Sequence, residues 1–492
     1  MSRPGTPPTV ADLDWSPQRA RHFGERVLEL YAGLLGEIAH GPASPQVTPG
    51  GVREAVAIDV PDEPLDDDAL FAHLQAVLDH SLRPGSGGFM AYISGGGTVP
   101  GAVADLLASG LNANVGGWVL SPAATEIELQ LVRWLATLFG LPAGAGGIMA
   151  GGGSLANLSA LKLARDRADV SVRVDGLAER PRLRFYASQE THFTVDRAAD
   201  VLGLGESAVR KVAIDEGLAM RPDDLERLIA ADLAAGAVPA AIIATAGTTG
   251  TGAIDPLEEL ADIAARVGAW LHVDAAYGGA IAVSDELRPL LCGIERADSI
   301  TFDAHKWLYA PLLSAFVLVR DGSLLNRSFS AHAAYVEQDR EVADRGVDLG
   351  FEGLQLSRSF TALHVWVALL AHGRAAFARR IEHDVALTRW LASRIEATPG
   401  LELACPPSLS ICCFRYRPVD LHDEDYLDRL NTRVMTELQL DGRVFPSNAL
   451  IHGRAAIRSC IVSYRTEAKH LQLLLDLTCE IGAAVHASGA VA

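Results

Sequence analysis

"PAAIIATAGTTGTGAIDPLEELADIAARVGAWLHVDAAY", residues 239–277, holds a β-prone apolar run, a glycine-rich turn, a segment with apolar residues at helical spacing, and a second apolar run. Working outward, "LRFYAS" (183–188) and "VRKVAI" (209–214) precede this stretch, and "SITFDA" (299–304) and "SAFVLVR" (314–320) follow it. Short β-rich runs alternating with helical ones predict an α/β fold, a largely parallel sheet with covering helices. Ligands in such sheets bind beyond the carboxyl ends of the strands, so the residues just after each run are the first candidates for chemistry.

On either side the pattern changes. Residues 17–38 carry apolar positions at helical spacing, and "HGPASPQVTPGG" (40–51) then interrupts them with prolines and glycines. After a long helical region (361–398), "LSICCFRYRP" and "AAIRSCIVSYRT" alternate with helices. The reading is an N-terminal helical arm (1–85), a large ligand-binding domain (86–375) and a small C-terminal α+β domain (376–492). An arm too small to bury its own apolar face packs on its own body or on a second copy, which makes a homodimer the expected assembly.

With 492 residues, 49% of them hydrophobic, the chain is long enough for a substantial core, and its net charge of -19 argues against nucleic acid or an anionic membrane as a partner. The first residues lack a charged-then-apolar signal profile and no run spans a bilayer, so the expected location is cytoplasmic. The six cysteines follow no metal or disulfide spacing and read as reduced packing residues.

Four stretches offer chemistry at strand ends or helix starts. "GIMAGGGSLANLSALKLARDRA" (147–168) places Gly152, Gly153 and Ser154 at the start of a helix, where backbone N–H groups and the helix dipole favour an anion such as one phosphate monoester. "AWLHVDAAYGGA" (269–280) ends an apolar strand at Asp274, whose buried carboxylate needs a partner. His192 follows another strand, and Thr248 and Thr249 sit in a glycine-rich turn after a third. In "SITFDAHKWLYAPL" (299–312), His305 and Lys306 stand in apolar company. Taken singly, helix caps, turns and a stem-packed surface lysine account for each. Together they meet the needs of pyridoxal phosphate: a phosphate anchor, a partner for the ring nitrogen, a ring support and a Schiff-base lysine.

"SPAATEIE", "GGGSLANLSAL", "HVDAAYGGA", "DSITFDAHKW" and "LQLSRSFTALHVW" resemble, in order and spacing, the pyridoxal-phosphate-dependent group II amino-acid decarboxylases, from roughly Gly88 to Arg465. The resemblance implies an aspartate-aminotransferase-like (fold type I) enzyme that releases CO2 from an L-amino acid. It further implies that Lys306 binds the cofactor covalently and Asp274 faces its ring nitrogen. His192 and Ala276 would flank the ring, with Thr249 near its hydroxyl. Gly152, Gly153, Ser154 and His305 would hold the phosphate, and Arg358 would receive the substrate carboxylate.

The family's aromatic members carry a lid tyrosine about nine residues before the matching arginine, whereas residue 349 here is Leu. Tyr335, the tyrosine of the expected lid (326–353), and His192 remain as candidate proton donors. Tyr92 and Trp118, beside Gly95 to Gly97, Gly116 and Gly117, are the candidate substrate contacts. That space favours an aromatic substrate, while Asn112 and Asn114 point toward glutamate-type members. Other readings are an aldehyde product formed with oxygen, a small acidic or diamino-acid substrate, an aminotransferase, and a scaffold without turnover.

Overall fold

The computed structural model describes residues 13–330, 346–419 and 421–489. Seven strands form the main sheet: β1 (Gly146–Ala150), β2 (Leu183–Ser188), β3 (Val209–Val212), β4 (Val238–Thr245), β5 (Trp270–Asp274), β6 (Ser299–Asp303) and β7 (Ala315–Val319), in the order β1-β7-β6-β5-β4-β2-β3. β3, β2, β4, β5 and β6 run parallel to one another, and only β7 is reversed, pairing antiparallel with both β6 and β1. The carboxyl ends of β1, β2, β4, β5 and β6 therefore share one edge.

β5 and β6 are buried along their whole length and β4 in all but its first residue, as expected of central parallel strands covered on both faces. That is why they read as unbroken apolar runs. β1 carries no such signal, since "GGIMA" offers only three side chains larger than hydrogen; its place depends on β7. A Cβ at Gly147 would lie 2.5 Å from the Val317 carbonyl oxygen, so the β1–β7 approach needs glycine there.

A second, antiparallel sheet has the order β10-β11-β9-β8, formed by β8 (Leu401–Leu403), β9 (Ile411–Tyr416), β10 (Ser447–Ile451) and β11 (Arg454–Cys460). Helices Glu424–Asp441 and Ala468–Ser488 cover it with Leu430, Val434, Leu471 and Leu474. The expected helical region over 361–398 is two helices, Ala362–His372 and Arg374–Glu396, broken at Gly373 with φ 71°. The second joins both cores: Phe377, Ile381 and Val385 pack with the main sheet, Leu391 and Ile395 with the smaller one.

The N-terminal stretch up to residue 85 holds the helices Pro17–His40, Pro49–Ala55 and Asp67–Asp79, the first started by the Ser16 hydroxyl accepting from the Arg19 N–H (3.2 Å). No residue of the helix Pro17–His40 is buried, whereas Ala43 and Phe71 are. No helix among the described residues is long and apolar enough to cross a membrane.

Candidate active site

A cavity of about 250 Å3 opens at the shared strand edge and is lined by Gly153, Ser154, His192, Thr249, Asp274, Ala276, His305 and Lys306, eight of the residues singled out in the sequence. Each element delivers its residue for a local reason. β1 ends at Ala150, and Gly152, at φ 101°, turns the chain into the helix Gly153–Ala168, which has no side-chain cap. Its first N–H groups are thus available to an anion. In the turn after β4, the Thr248 hydroxyl pairs with Thr251 (2.9 Å) and accepts from the Ala253 N–H (3.1 Å), shaping the loop and leaving Thr249 on the cavity wall.

Lys306 gains its setting from its neighbours. Trp307 and Tyr309 are core residues, and the Trp307 Nε1–H and Tyr309 hydroxyl both donate to Asp384 of the helix Arg374–Glu396 (2.9 and 2.6 Å). Burial pushes the Asp384 carboxyl up to about 6 against the pull of Arg380. The loop is thereby pinned while the Lys306 amine points back to Asp303 Oδ2 at 3.2 Å. The Ser314 N–H donates to His305 Nδ1 (3.1 Å), so Nε2 of the neutral ring carries the proton; burial lowers the affinity of this imidazole for a second one.

Asp274 accepts from the Ala276 N–H (3.1 Å) and from Asn157 Nδ2 (2.8 Å). His192 is half-buried, and its Nδ1 meets the Thr194 hydroxyl (2.9 Å) and the Thr194 N–H (3.3 Å). Desolvation lowers its pKa, with Asp274 pulling the other way and Lys306 adding to the drop.

These residues suit pyridoxal phosphate in size and polarity. At Gly153 there is no room for a side chain: a Cβ would lie 2.7 Å from Asp303 Oδ2. Asp303 Oδ1 and Thr245 Oγ1 are buried at the wall without hydrogen-bond partners among the described residues, as expected where a polar ligand completes the site. An anion site, a carboxylate and an amine thus share one single-ring-sized cavity.

Other expected contacts lie elsewhere. Arg358 is buried, its guanidinium paired with Glu128 and donating to the Met149 carbonyl (2.9 Å). Glu128 also accepts the Met149 N–H (2.8 Å), so Arg358 clamps β1 to the following chain and has its charge neutralised there. Asn114 accepts from the backbone of Gly116 and Arg358, and Asn112 ends a helix in the left-handed region; both serve the backbone. Trp118 Nε1 donates to Glu126 (3.0 Å), and Tyr92 is exposed with φ 55°. Leu349 is buried in the core, and Tyr335 lies outside the described residues.

Arg458 on β11 escaped the sequence reading. It is buried, its Nε donates to the Gly250 carbonyl (3.1 Å) and its Nη1 to the Tyr92 carbonyl (3.0 Å), and Nη2 has no hydrogen-bond partner among the described residues. Asn157, Thr194, His272 and Asp303 were also missed. Their types are common in helices and strands, and only the folded chain brings them to the cavity or to its supports.

Residues 49–417 match the family model described as the pyridoxal-dependent decarboxylase conserved domain. The chain is 31% identical over 468 residues to the aromatic-L-amino-acid decarboxylase of Bacillus atrophaeus, covering 95% of this chain and 96% of that one. It is 29% identical to the phenylacetaldehyde synthase of Arabidopsis thaliana over 464 residues, covering 92% and 94%. The solved structure of Oryza sativa TDC with PLP and tryptamine superposes with a TM-score of 0.89 at 28% identity, covering 97% of this chain and 100% of that one. The fold, the cavity and these likenesses agree, and the chain belongs to the pyridoxal-dependent decarboxylases, carboxy-lyases that act on amino acids.

Proposed function

We propose that the protein decarboxylates an aromatic L-amino acid to the corresponding amine, with Arg458 as the group that receives the α-carboxylate. The observation that carries this reading is the contrast between two of the buried arginines, Arg358 and Arg458. Arg358 is committed to Glu128, whereas Arg458, beside Tyr92 and Gly250, has no acidic partner among the described residues. A buried guanidinium without a counter-charge is costly until an anion arrives. The choice of an aromatic substrate is supported by the likeness to the aromatic-L-amino-acid decarboxylase of Bacillus atrophaeus.

Bound pyridoxal phosphate supplies an electron sink for the pair left on Cα as CO2 departs. Lys306 would bind the cofactor's carbonyl carbon, Asp274 would pair with its ring nitrogen, and the Gly153–Ser154 N–H groups with His305 would hold its phosphate. His192 and Ala276 would flank its ring. Arg458 would hold the substrate carboxylate in one orientation and so select its bond to Cα for cleavage.

Oxidative formation of an aldehyde is the second reading. It is favoured by Leu349, buried where aromatic members would carry a lid tyrosine, and by likeness to a phenylacetaldehyde synthase. The test is one panel: holoenzyme with aromatic, acidic and diamino acids, assayed for CO2, amine, aldehyde and peroxide. Amine with equimolar CO2 from an aromatic substrate supports the first reading; aldehyde with equimolar peroxide replaces it with the second. Turnover of glutamate alone rejects the aromatic assignment.

A homodimer fits the arm helix without buried residues and the exposed Leu106, Leu107 and Leu111 on the helix Val99–Leu111. Light scattering at about twice the chain mass is the expected result. Six free cysteines, four of them buried, suit the reduced cytoplasm.

A further inference from the structure

Trp270, His272 and Asp274 alternate along β5 and therefore face the same side of the sheet. On that side they form one continuous hydrogen-bond chain with Ser299 of β6, which pairs in register with His272, and with Asn157 of the helix Gly153–Ala168. Trp270 Nε1 donates to Ser299 Oγ (2.7 Å), Ser299 Oγ meets His272 Nδ1 (2.9 Å), His272 Nε2 meets Asn157 Oδ1 (3.0 Å), and Asn157 Nδ2 donates to Asp274 Oδ2 (2.8 Å). Every member is at least nine-tenths buried, and no other charged group joins the chain before Asp274.

The Asp274 end fixes its direction. Asn157 presents its amide N–H to Asp274 and therefore its oxygen to His272, so the His272 proton is on Nε2. His272 Nδ1 then accepts from the Ser299 hydroxyl, whose oxygen accepts the Trp270 indole N–H. A side branch reaches His192: Asn157 Nδ2 also donates to Thr194 Oγ1 (3.3 Å), and His192 Nδ1 accepts from the Thr194 N–H (3.3 Å) and meets its hydroxyl (2.9 Å). The proton of His192 is then on Nε2. Burial, working against the attraction of Asp274, pushes the His272 pKa down to about 4, so the chain carries no added charge at neutral pH.

We propose that His272 is a positioning residue for the cofactor: with its Nδ1 occupied by Ser299 and its proton on Nε2, it orients Asn157 and, through it, the Asp274 carboxylate. The proposal rests on family membership and not on the aromatic substrate. It requires an N–H donor at position 272, not a basic group.

His272→Leu removes that donor, and His272→Gln keeps one. Titration of the purified apo proteins with pyridoxal phosphate should show at least a tenfold weaker Kd for His272→Leu and a value within threefold of wild type for His272→Gln. The pH titration of the visible band of the bound cofactor should shift in the first variant only. Histidine-selective 15N NMR of the wild-type protein should show residue 272 protonated on Nε2 alone, and Ser299→Ala, a smaller disturbance of the core, should mix its tautomers and weaken cofactor binding several-fold. Equal cofactor affinity and equal cofactor spectra in His272→Leu and His272→Gln, with only the melting temperature changed, would overturn the proposal, as would a His272 proton on Nδ1 in the wild type. An unchanged cofactor affinity in Ser299→Ala would also overturn it.

Discussion

The amine of Lys306 and Oδ2 of Asp303 stand 3.2 Å apart, three residues apart in the chain, with Asp303 at the last position of β6 and Lys306 in the turn beyond it. Asp303 is almost wholly buried, so the amine is its principal counter-charge. Lys306→Ala should abolish turnover by removing the attachment point, and should leave a buried carboxylate short of a partner, at a cost of about 1–3 kcal/mol. Borohydride reduction of the holoenzyme followed by peptide mass spectrometry should label Lys306, and labelling of another lysine alone would refute this site.

Gly153→Ala should weaken the binding of pyridoxal phosphate by at least tenfold while leaving the far-UV spectrum intact. The added methyl would stand 2.7 Å from Asp303 Oδ2, forcing the carboxylate or the helix start to shift within the anion cradle. Competition by inorganic phosphate, measured on the same variant, should weaken in parallel.

Arg358 and Arg458 should separate kinetics from stability. Arg358→Leu strands Glu128 and should cost about 3–5 kcal/mol, seen as a large fall in melting temperature. Arg458→Lys should raise KM for the amino acid by about tenfold, since a point charge replaces a planar fork, with a smaller change in melting temperature. The opposite pattern would return the carboxylate to Arg358.

Leu349→Tyr should not restore a lid tyrosine. The leucine is buried in the main core, and the larger ring would overpack it by about 1–3 kcal/mol. A melting curve gives the cost, and an unchanged ratio of amine to aldehyde would show that this position does not set the product.

His272 should also leave a pH signature. Its folded-state pKa of about 4 lies below the ordinary 6.5, so between these values the unfolded chain binds the extra proton. The stability advantage of wild type over His272→Gln should therefore shrink as pH falls from about 6.5 to about 4, by on the order of 3 kcal/mol across the window. Asp255 and Asp384, pushed up to about 6 by burial, give a slope of the opposite sign, common to both proteins, which cancels in the difference. Denaturant melts at three pH values would measure it.

The residues legible in the sequence are those whose message is local. β2 to β7 announced themselves through short β-prone runs, Asp274 because it closes one, Gly152 because it stands in a glycine turn before a helix, and Lys306 because it stands in apolar company beyond β6. β1 did not, because its glycines acquire meaning only against β7.

The α/β alternation, the positions of most strands and the polar residues that follow them were thus determined by the sequence itself, through periods of two and 3.6 residues and the cost of a lone buried charge. Only the tertiary structure decided the strand order, with β7 reversed between β6 and β1, which of Arg358 and Arg458 is paired with an acid among the described residues, and which way the Asn157 amide points. Glu128 lies 230 positions before Arg358, and Asn157 lies 115 before His272; such pairings exist only once the chain has closed around them.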